Sequence, residues 1–337
     1  MSGLPVPPQV EQRDGIDFKA FHDELRPAAR PVVFRGLVSA WPAVMAARQG
    51  DEAMVGYLEA CGTTRPVKAY AAEPKVKGRL FYNEAMSGLN FMSAQGDLIR
   101  FLNDLLAASD QPDPPALAVQ SEIIPDLSPR LAAENRLDLL PDVAPRIWIG
   151  NRLQVAPHFD LKENLACCVA GLRRFTLFPP EQLANLYPGP FELTPAGTPV
   201  SMVDPLAPDL DRYPRFRDAW AAASQVTLEP GDALYIPYGW WHGVESLERL
   251  NILVNYWWSD ASEHLAPPYD ALLHAFLALK HLPPQERAVW RGMFDHYIFE
   301  ADGDPAAHLP PHARGIMGPP SPQLLARMRA TLRNTVS

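Results

Sequence analysis

The sequence predicts a mainly β fold, a double-sheet jelly roll (double-stranded β-helix) with α-helices flanking it on the N-terminal and C-terminal sides. Short apolar runs separated by turn residues fill the region from residue 146 to residue 258, which is typical of many short strands. The 37 prolines in a chain of 337 residues disfavour a bundle of long helices. This length allows one large domain or two ordinary ones.

The strand predictions rest on run length, residue type and flanking turns. Ala170-Gly171-Leu172 and Pro230-Gly231-Asp232 are turn sequences between apolar runs. Upstream, a short apolar run beginning at Arg30-Pro31-Val32-Val33 is bounded by proline and glycine, as buried strands often are. We predict strands at residues 30–37, 65–70, 146–150, 164–170, 173–178, 225–228, 233–236 and 251–258.

Helices are predicted where apolar residues recur every three or four positions. In the segment 96–108, five such residues fall on one side: Leu98, Phe101, Leu102, Leu105 and Leu106. Prolines mark several helix starts and ends. We predict helices at residues 18–25 (ending before Pro27), from Trp41-Pro42 onward, and at residues 52–61, 96–108, 269–281, 284–298 and 322–333.

These elements suggest three regions. Residues 1–16 are Pro-rich and polar and are predicted to form an extended arm. Residues 17–260 hold the jelly-roll domain with its N-terminal helices, and residues 261–337 form a helical extension. Large apolar residues on the terminal helices suit two uses equally well: they could cover the barrel, or they could form a homodimer interface.

Composition limits the classes of partner. The net charge of −9 and a pI of about 5.5 make a broad nucleic-acid or anionic-membrane footprint unexpected, although a small basic patch at one site would not show in that total. No signal peptide and no membrane-length apolar stretch are evident. Adjacent Cys167 and Cys168 should point to opposite faces of a strand and be buried. We expect a soluble protein in the reducing cytoplasm.

The stretch Ala156-Pro157-His158-Phe159-Asp160 places an imidazole and a carboxylate two positions apart, so both can face one side of a strand. Taken alone, a His-x-Asp is usually a core histidine beside a surface carboxylate. A second histidine, His242 in Gly239-Trp240-Trp241-His242, makes a metal site more plausible. Two imidazoles and one carboxylate suit non-haem Fe(II), and they also suit catalytic zinc.

Further residues extend this pattern into a family resemblance. They are Gly171 at a hairpin, Leu177-Phe178-Pro179-Pro180, and Pro230-Gly231-Asp232 followed ten residues later by His242. Together with His158-x-Asp160 they resemble the cupin-like JmjC-type oxygenases, a family that includes an asparaginyl hydroxylase. The resemblance spans most of residues 18–260 and weakens over the C-terminal helices.

The resemblance implies that His158, Asp160 and His242 are ligands of Fe(II). In this family 2-oxoglutarate is the co-substrate and O2 the oxidant; the products are succinate, CO2 and a hydroxylated substrate. Trp240 and Trp241 are expected to pack at the barrel mouth.

At the family position of a lysine that binds the distal carboxylate of 2-oxoglutarate, this chain has Arg173. Its neighbour Arg174 should face the opposite side of the strand. Arginine binds a carboxylate bidentately but needs more room. Three family positions for a tyrosine, a threonine and an aromatic residue hold Ala118, Val155 and Ala166. We hypothesise that Arg173 fills the space they leave, and these changes also allow a different 2-oxoacid or none.

Two asparagines match family positions beside the metal and co-substrate. Asn255 lies in the otherwise apolar run Val254-Asn255-Tyr256-Trp257, so its amide needs buried partners. We predict that Asn255 and Asn164 line the co-substrate pocket. Gln120 and Tyr82 are weaker candidates for substrate contact.

The predicted function is Fe(II)- and 2-oxoglutarate-dependent hydroxylation of an unactivated C–H bond. A peptide or protein side chain is the favoured substrate, and a small molecule remains open because fold does not fix substrate. Two alternatives from other classes are a non-catalytic cupin-type binding protein and a Zn(II)-dependent hydrolase or isomerase that uses the same three residues.

Overall fold

The computed structural model describes residues 4–262 and 265–335. Residues 1–3 of the predicted arm, and residues 263, 264, 336 and 337 of the predicted extension, lie outside the described residues. The chain divides into two compact units, Met1–Trp258 and Ser259–Ser337.

The first unit contains the strands. In chain order they are β1 (Glu11–Arg13), β2 (Val32–Phe34), β3 (Val67–Ala72), β4 (Arg79–Leu80), β5 (Met92–Gly96), β6 (Ala116–Ile123), β7 (Pro145–Gly150), β8 (Gln154–Phe159), β9 (Glu163–Ala170), β10 (Arg173–Phe178), β11 (Ser224–Leu228), β12 (Ala233–Ile236), β13 (Trp241–Ser246) and β14 (Asn251–Trp258).

These strands form two sheets. The large sheet has the order β1-β2-β12-β9-β14-β7-β6-β3-β5, and the small sheet has the order β11-β10-β13-β8-β4. All pairings are antiparallel except β1 with β2 and β4 with β8. Side chains from both sheets, including Cys168, Phe175 and Leu234, pack into one apolar core. The predicted double-sheet jelly roll is confirmed.

Helices in the first unit are Phe18–Ala20, the π-helical turn Phe21–Leu25, Arg26–Ala28, Pro42–Gln49, Asp51–Cys61, Leu98–Ser109, Ile124–Leu127, Pro129–Glu134 and Phe216–Ala221, with 3-10 turns at Pro74–Val76 and Pro180–Leu186. Apolar side chains of the helices between Phe18 and Glu134, including Leu58, Leu102 and Leu105, pack against the outer face of the large sheet, whereas Phe216 and Ala219 of the last helix pack in a separate cluster with Phe178 and Trp241. Cys167 joins this outer core while Cys168 lies between the sheets, which confirms their predicted opposite orientation.

The first helix was predicted to end before Pro27, and this is wrong. Asp17 caps the start by accepting the Ala20 N–H, and the helix continues to Ala28. A π-helical turn precedes the proline, with the Arg26 N–H donating to the Phe21 carbonyl. The backbone hydrogen bonds therefore span five residues instead of four just before Pro27, which has no N–H to donate.

Two differences concern strands beside the site. His158 lies in β8 and His242 in β13, and neither of these strands is among those predicted from the sequence. The ladder of β13 with β8 is irregular between His242 and Val244, which removes the regular alternation that identifies strands. The predicted arm also contributes β1 to the edge of the large sheet.

The second unit is helical. Its helices are Pro268–Ala278, Pro284–Tyr297 and Pro322–Thr335, with 3-10 turns at Pro311–Ala313 and Gly315–Met317. Among the described residues of both units, no helix is long and apolar enough to cross a membrane.

The predicted turn Pro230-Gly231-Asp232 anchors β12 through buried polar contacts. Asp232 accepts from Arg35 Nη1 at 2.5 Å and from the backbone N–H groups of Gly36 and Glu229, both at 3.0 Å. Gly231 has φ +109°, and a Cβ there would lie 2.3 Å from Ser39 Oγ. Local structure therefore explains why glycine stands at position 231 and aspartate at position 232.

Replacing Asp232 by alanine should lower the free energy of unfolding by roughly 2 kcal/mol, because Arg35 and the backbone N–H groups of Gly36 and Glu229 lose their acceptor. Urea denaturation measures this change. Asp113→Ala is the control, since Asp113 is exposed and makes no ion pair among the described residues. Equal stability losses in the two variants would contradict the assigned role of Asp232.

Candidate active site

A cavity of about 210 Å³ lies between the two sheets. Strands of the large sheet contribute Trp148, Asn164, Asn255 and Trp257, and strands of the small sheet contribute residues that face them. The full lining is Tyr70, Gln120, Ser121, Trp148, Val155, His158, Asp160, Asn164, Ala166, Arg173, Phe175, Pro195, Ala196, His242, Val244, Leu253, Asn255 and Trp257.

The structure brings His158, Asp160 and His242 together on one wall. His158 on β8 and His242 on β13 are directly opposite each other in the antiparallel ladder, with ring centroids 4.3 Å apart. Asp160 follows the end of β8, and its Oδ2 lies 3.6 Å from His242 Nε2. One ligand atom from each of the three residues lies within 4.8 Å of the others.

Backbone contacts fix how the two imidazoles are presented. His158 Nδ1 lies 3.0 Å from the Ala156 carbonyl, and His242 Nδ1 lies 3.1 Å from the Trp240 carbonyl. Since a carbonyl can only accept, each Nδ1 carries the proton and each Nε2 keeps a free lone pair. Burial and the neighbouring His158 lower the pKa of His242 to about 4, so this ring is neutral at pH 7.

The carboxylate is oriented as well. Trp257 on β14 donates its indole N–H to Asp160 Oδ2 at 3.1 Å, and the Gly239 N–H donates to the Asp160 carbonyl at 3.1 Å. Two neutral imidazole nitrogens and one oriented carboxylate form a donor set that fits a first-row divalent ion such as Fe(II) or Zn(II).

Arg173 lies in the same cavity with an uncompensated charge. It is 7% exposed, its Nη2 reaches only the Trp148 carbonyl at 3.4 Å, and its buried Nε has no partner. Among the described residues no carboxylate pairs with it. Burial lowers the pKa of Arg173 to about 10, which still leaves it protonated at pH 7. A buried cation without an acceptor is costly, so the geometry suits an anionic ligand.

The adjacent arginine shows the opposite arrangement. Arg174 faces away from the cavity, as predicted from strand alternation, and pairs with Glu245 at 3.4 Å. The cation that faces the cavity is therefore the unpaired one.

Asn164 and Asn255 both line the cavity and form one network. Asn255 Nδ2 donates to Asn164 Oδ1 at 3.1 Å, and Trp148 Nε1 donates to Asn255 Oδ1 at 2.7 Å. Asn255 thus has a partner on each side of its amide, whereas the Asn164 NH2 group donates to no described residue. Asn164 is the member of this pair with a donor available to a ligand.

Of the other residues singled out from the sequence, some line the cavity and others lie outside it. Val155, Ala166 and Gln120 line the cavity, but Ala118 does not; it packs with Leu80 and Leu153 in a separate small cluster. Ala118 lies opposite the cavity-lining Tyr70 in the ladder of β3 with β6, so the expectation that it leaves room for Arg173 stays a prediction. Tyr82 is also outside the lining, with its hydroxyl buried and unpartnered. Trp241 is buried in apolar packing and Trp240 donates to the Ala29 carbonyl, so neither lines the cavity.

Several lining residues were missed from the sequence. Trp257 and Trp148, whose rings meet edge to face at 5.5 Å, hold Asp160 and Asn255 in place. Tyr70 comes from β3, near the far edge of the large sheet. Strand alternation from Asn255 predicts Trp257 on the cavity face. No local sequence pattern indicates that β3 packs beside the cavity.

The fold and this site define a class of protein: a jelly-roll domain with a His-x-Asp and a distal histidine facing an inter-sheet cavity. A family model described as a cupin-like domain matches residues 18–264. The chain belongs to this cupin-like family, and its relatives place it among the JmjC-type members.

Three curated relatives illustrate the similarity. Human bifunctional peptidase and (3S)-lysyl hydroxylase JMJD7 is 31% identical over 275 residues, which are 72% of this chain and 81% of that protein. Human HSPB1-associated protein 1 is 38% identical over 131 residues, 38% of this chain and 26% of that protein. Lysine-specific demethylase JMJ31 of Arabidopsis thaliana is 36% identical over 117 residues, 33% of this chain and 21% of that protein.

The match therefore spans only a minor part of HSPB1-associated protein 1 and of JMJ31, and most of JMJD7. The family and the hydroxylase relative support a dioxygenase-type function for the chain.

Trp257→Phe keeps an aromatic ring in the wall but removes the hydrogen bond to Asp160. We expect about tenfold weaker Mn(II) binding, because the carboxylate loses its orienting donor. Titration calorimetry on protein stripped with a chelator measures this affinity. Trp240→Phe is the matched control, since its indole bonds outside the cavity. Equal Mn(II) affinity in wild type and Trp257→Phe would show that the indole does not orient the ligand.

Proposed function

We propose that the protein is an Fe(II)- and 2-oxoglutarate-dependent dioxygenase that hydroxylates an unactivated C–H bond of a peptide or protein side chain. The observation that carries this proposal is the buried, unpaired Arg173 in the same cavity as His158, Asp160 and His242. A dianionic co-substrate that reaches both the metal and the guanidinium would account for both features.

In this proposal His158, Asp160 and His242 hold Fe(II) and leave its remaining positions open to the cavity. Arg173 binds the distal carboxylate of 2-oxoglutarate through its fork of N–H donors, and the Asn164 amide donates to the co-substrate. With both groups bound, O2 is consumed as 2-oxoglutarate becomes succinate and CO2 and the substrate C–H bond is hydroxylated. The apolar side chains Phe175, Val244 and Leu253 line the same cavity and limit access of water.

A protein substrate is favoured by the relatives' names: JMJD7 is called a lysyl hydroxylase and JMJ31 a lysine-specific demethylase. The free cysteines Cys61, Cys167 and Cys168 suit a reducing compartment such as the cytoplasm.

One experiment tests the proposal against its alternatives. The protein is reconstituted anaerobically with Fe(II), exposed to 2-oxoglutarate and O2, and assayed for succinate with and without a random peptide mixture. We expect succinate only when Fe(II), 2-oxoglutarate and O2 are all present. Absence of succinate together with stoichiometric Zn(II) in the purified protein would favour a zinc enzyme. Absence of both succinate and zinc would favour a non-catalytic cupin.

Arg173→Ala should weaken 2-oxoglutarate binding to the Mn(II)-loaded protein about hundredfold, because a charged pair in a dry cavity is lost. Arg173→Lys should recover part of the affinity, since lysine keeps the charge without the fork. Calorimetry measures both. Arg174→Ala, on the opposite face, should bind as wild type does; full affinity in Arg173→Ala would exclude the anchor role.

We further propose that the second unit forms a homodimer. Its helices Pro268–Ala278 and Pro284–Tyr297 bury no side chain, and Leu273 and Leu277 are 68% and 72% exposed. A groove of about 700 Å³ between these helices is lined largely by apolar groups. Its helices carry charges of both signs, including Asp270, Glu286, Arg287 and Arg291, which a two-fold axis could pair. A second copy supplies the same apolar surface and would close both grooves.

Replacing Leu272 and Ile298, two exposed residues that line the groove, together by glutamate should convert a dimer to a monomer, because four charges would enter the shared apolar surface. Size-exclusion chromatography with light scattering gives the mass. Leu206→Glu is the control, as Leu206 is exposed in the first unit. A monomeric wild type, or a double variant that remains dimeric, would contradict this interface.

A further inference from the structure

Arg146 is a second cation beside the cavity that the proposed reaction does not use. It lies on β7 directly opposite Asn255 of β14, and opposite partners in an antiparallel ladder share a face. Because Asn255 lines the cavity, Arg146 is on the cavity face of the large sheet. Its guanidinium carbon is 5.8 Å from the ring centroid of Trp257.

The guanidinium is held in place but is not neutralised. Nη1 donates to the backbone carbonyl and to Oγ of Ser121, both at 3.0 Å. Ser121 itself lines the cavity and has φ +60° within an irregular part of β6. Nε and Nη2 make no hydrogen bond with the described residues. Both atoms are accessible to solvent, so a ligand can reach them.

A lysine on a neighbouring strand adds positive charge to the same margin of the sheet. Lys68 on β3 lies with its ammonium 5.3 Å from the ring of Tyr70, a cavity-lining residue. The nearby carboxylate of Glu122 is already engaged, since it pairs with Arg65 at 2.7 Å and accepts the Lys68 backbone N–H. Neither Arg146 nor Lys68 has a carboxylate partner among the described residues.

We infer that Arg146 is a specificity-determining residue that binds a carboxylate of the substrate, so that the protein selects acidic peptide segments. This rests on the proposed function and names its substrate class. A chain with a net charge of −9 would otherwise repel such a peptide, so a local cation without a carboxylate partner beside the cavity is informative. The planar fork of arginine, positioned by Ser121, suits bidentate binding of one carboxylate.

A nucleic-acid substrate fits these observations less well. Backbone recognition of a polyanion uses many cations along its length. Here two cations, Arg146 and Lys68, flank the part of the cavity formed by Tyr70 and Ser121. This arrangement matches one or two carboxylates better than a phosphate chain.

The test measures peptide binding, which requires no turnover. The full chain, loaded with Mn(II) under anaerobic conditions, is titrated into fluorescein-labelled random heptapeptide pools that contain one fixed Glu or one fixed Gln, and anisotropy is recorded. Failure of the proposed function would appear as absent succinate in the separate assay and would leave this measurement interpretable. Single-stranded oligouridylate is titrated in parallel.

We expect the Glu pool to bind about tenfold more tightly than the Gln pool. Arg146→Gln should bring the two pools to within about twofold of each other, and Arg146→Lys should restore part of the preference. Arg174→Gln, on the outer face, should keep the wild-type preference. A purely structural Arg146 would change the affinity for both pools equally.

Three results would overturn the inference. The first is equal binding of the two pools by wild type, and the second is a Glu preference that persists in Arg146→Gln. The third is oligouridylate binding that is tighter than the Glu pool and depends on Arg146. Circular dichroism and thermal unfolding of Arg146→Lys establish that the charge preference is compared between folded proteins.

Discussion

The antiparallel register of β8 and β13 is the constraint on which the site depends. It places His158 opposite His242, and the carbonyls of Ala156 and Trp240, two residues before each histidine, take the Nδ1 protons. A one-residue slip of either strand would turn its imidazole to the other side of the sheet and separate the two histidines. The irregularity in this ladder lies between His242 and Val244, directly after the histidine pair. The same two strands therefore set both the pairing of the two imidazoles and the backbone contacts of their Nδ1 atoms.

Local sequence patterns predicted much of the fold and one wall of the site. Strands β10, β12 and β14 have the predicted bounds, since each is a short apolar run between clear turns. The triad was predictable because His158 and Asp160 are close in sequence and His242 follows a distinctive motif. The expectation about Ala118 came from sequence correspondence alone, and the sequence did not reveal that its side chain packs with Leu80. The roles of Trp257 and Trp148 depend on contacts between strands distant in sequence, which no local periodicity encodes.

Arg173 carries a buried charge that costs stability. Its guanidinium is buried among Trp148, Phe175 and other lining residues without a carboxylate, and burial depresses its pKa. A chain optimised only for folding would pair or remove such a charge. The uncompensated charge in this cavity contrasts with the ion pair of Arg174 one residue later, so residue type alone does not decide which of the two arginines is paired.

The two cavity indoles also have an optical consequence. Of the chain's eight tryptophans, Trp257 and Trp148 line the cavity, and Trp257 contacts a proposed metal ligand directly. An excited indole that close to a paramagnetic ion loses its energy without emitting light. Occupancy of the metal position would then be visible as partial quenching of the intrinsic tryptophan fluorescence. The loss would be limited to the emission that these two residues contribute. If the proposed Fe(II) binds, these two indoles would report its occupancy with no label required.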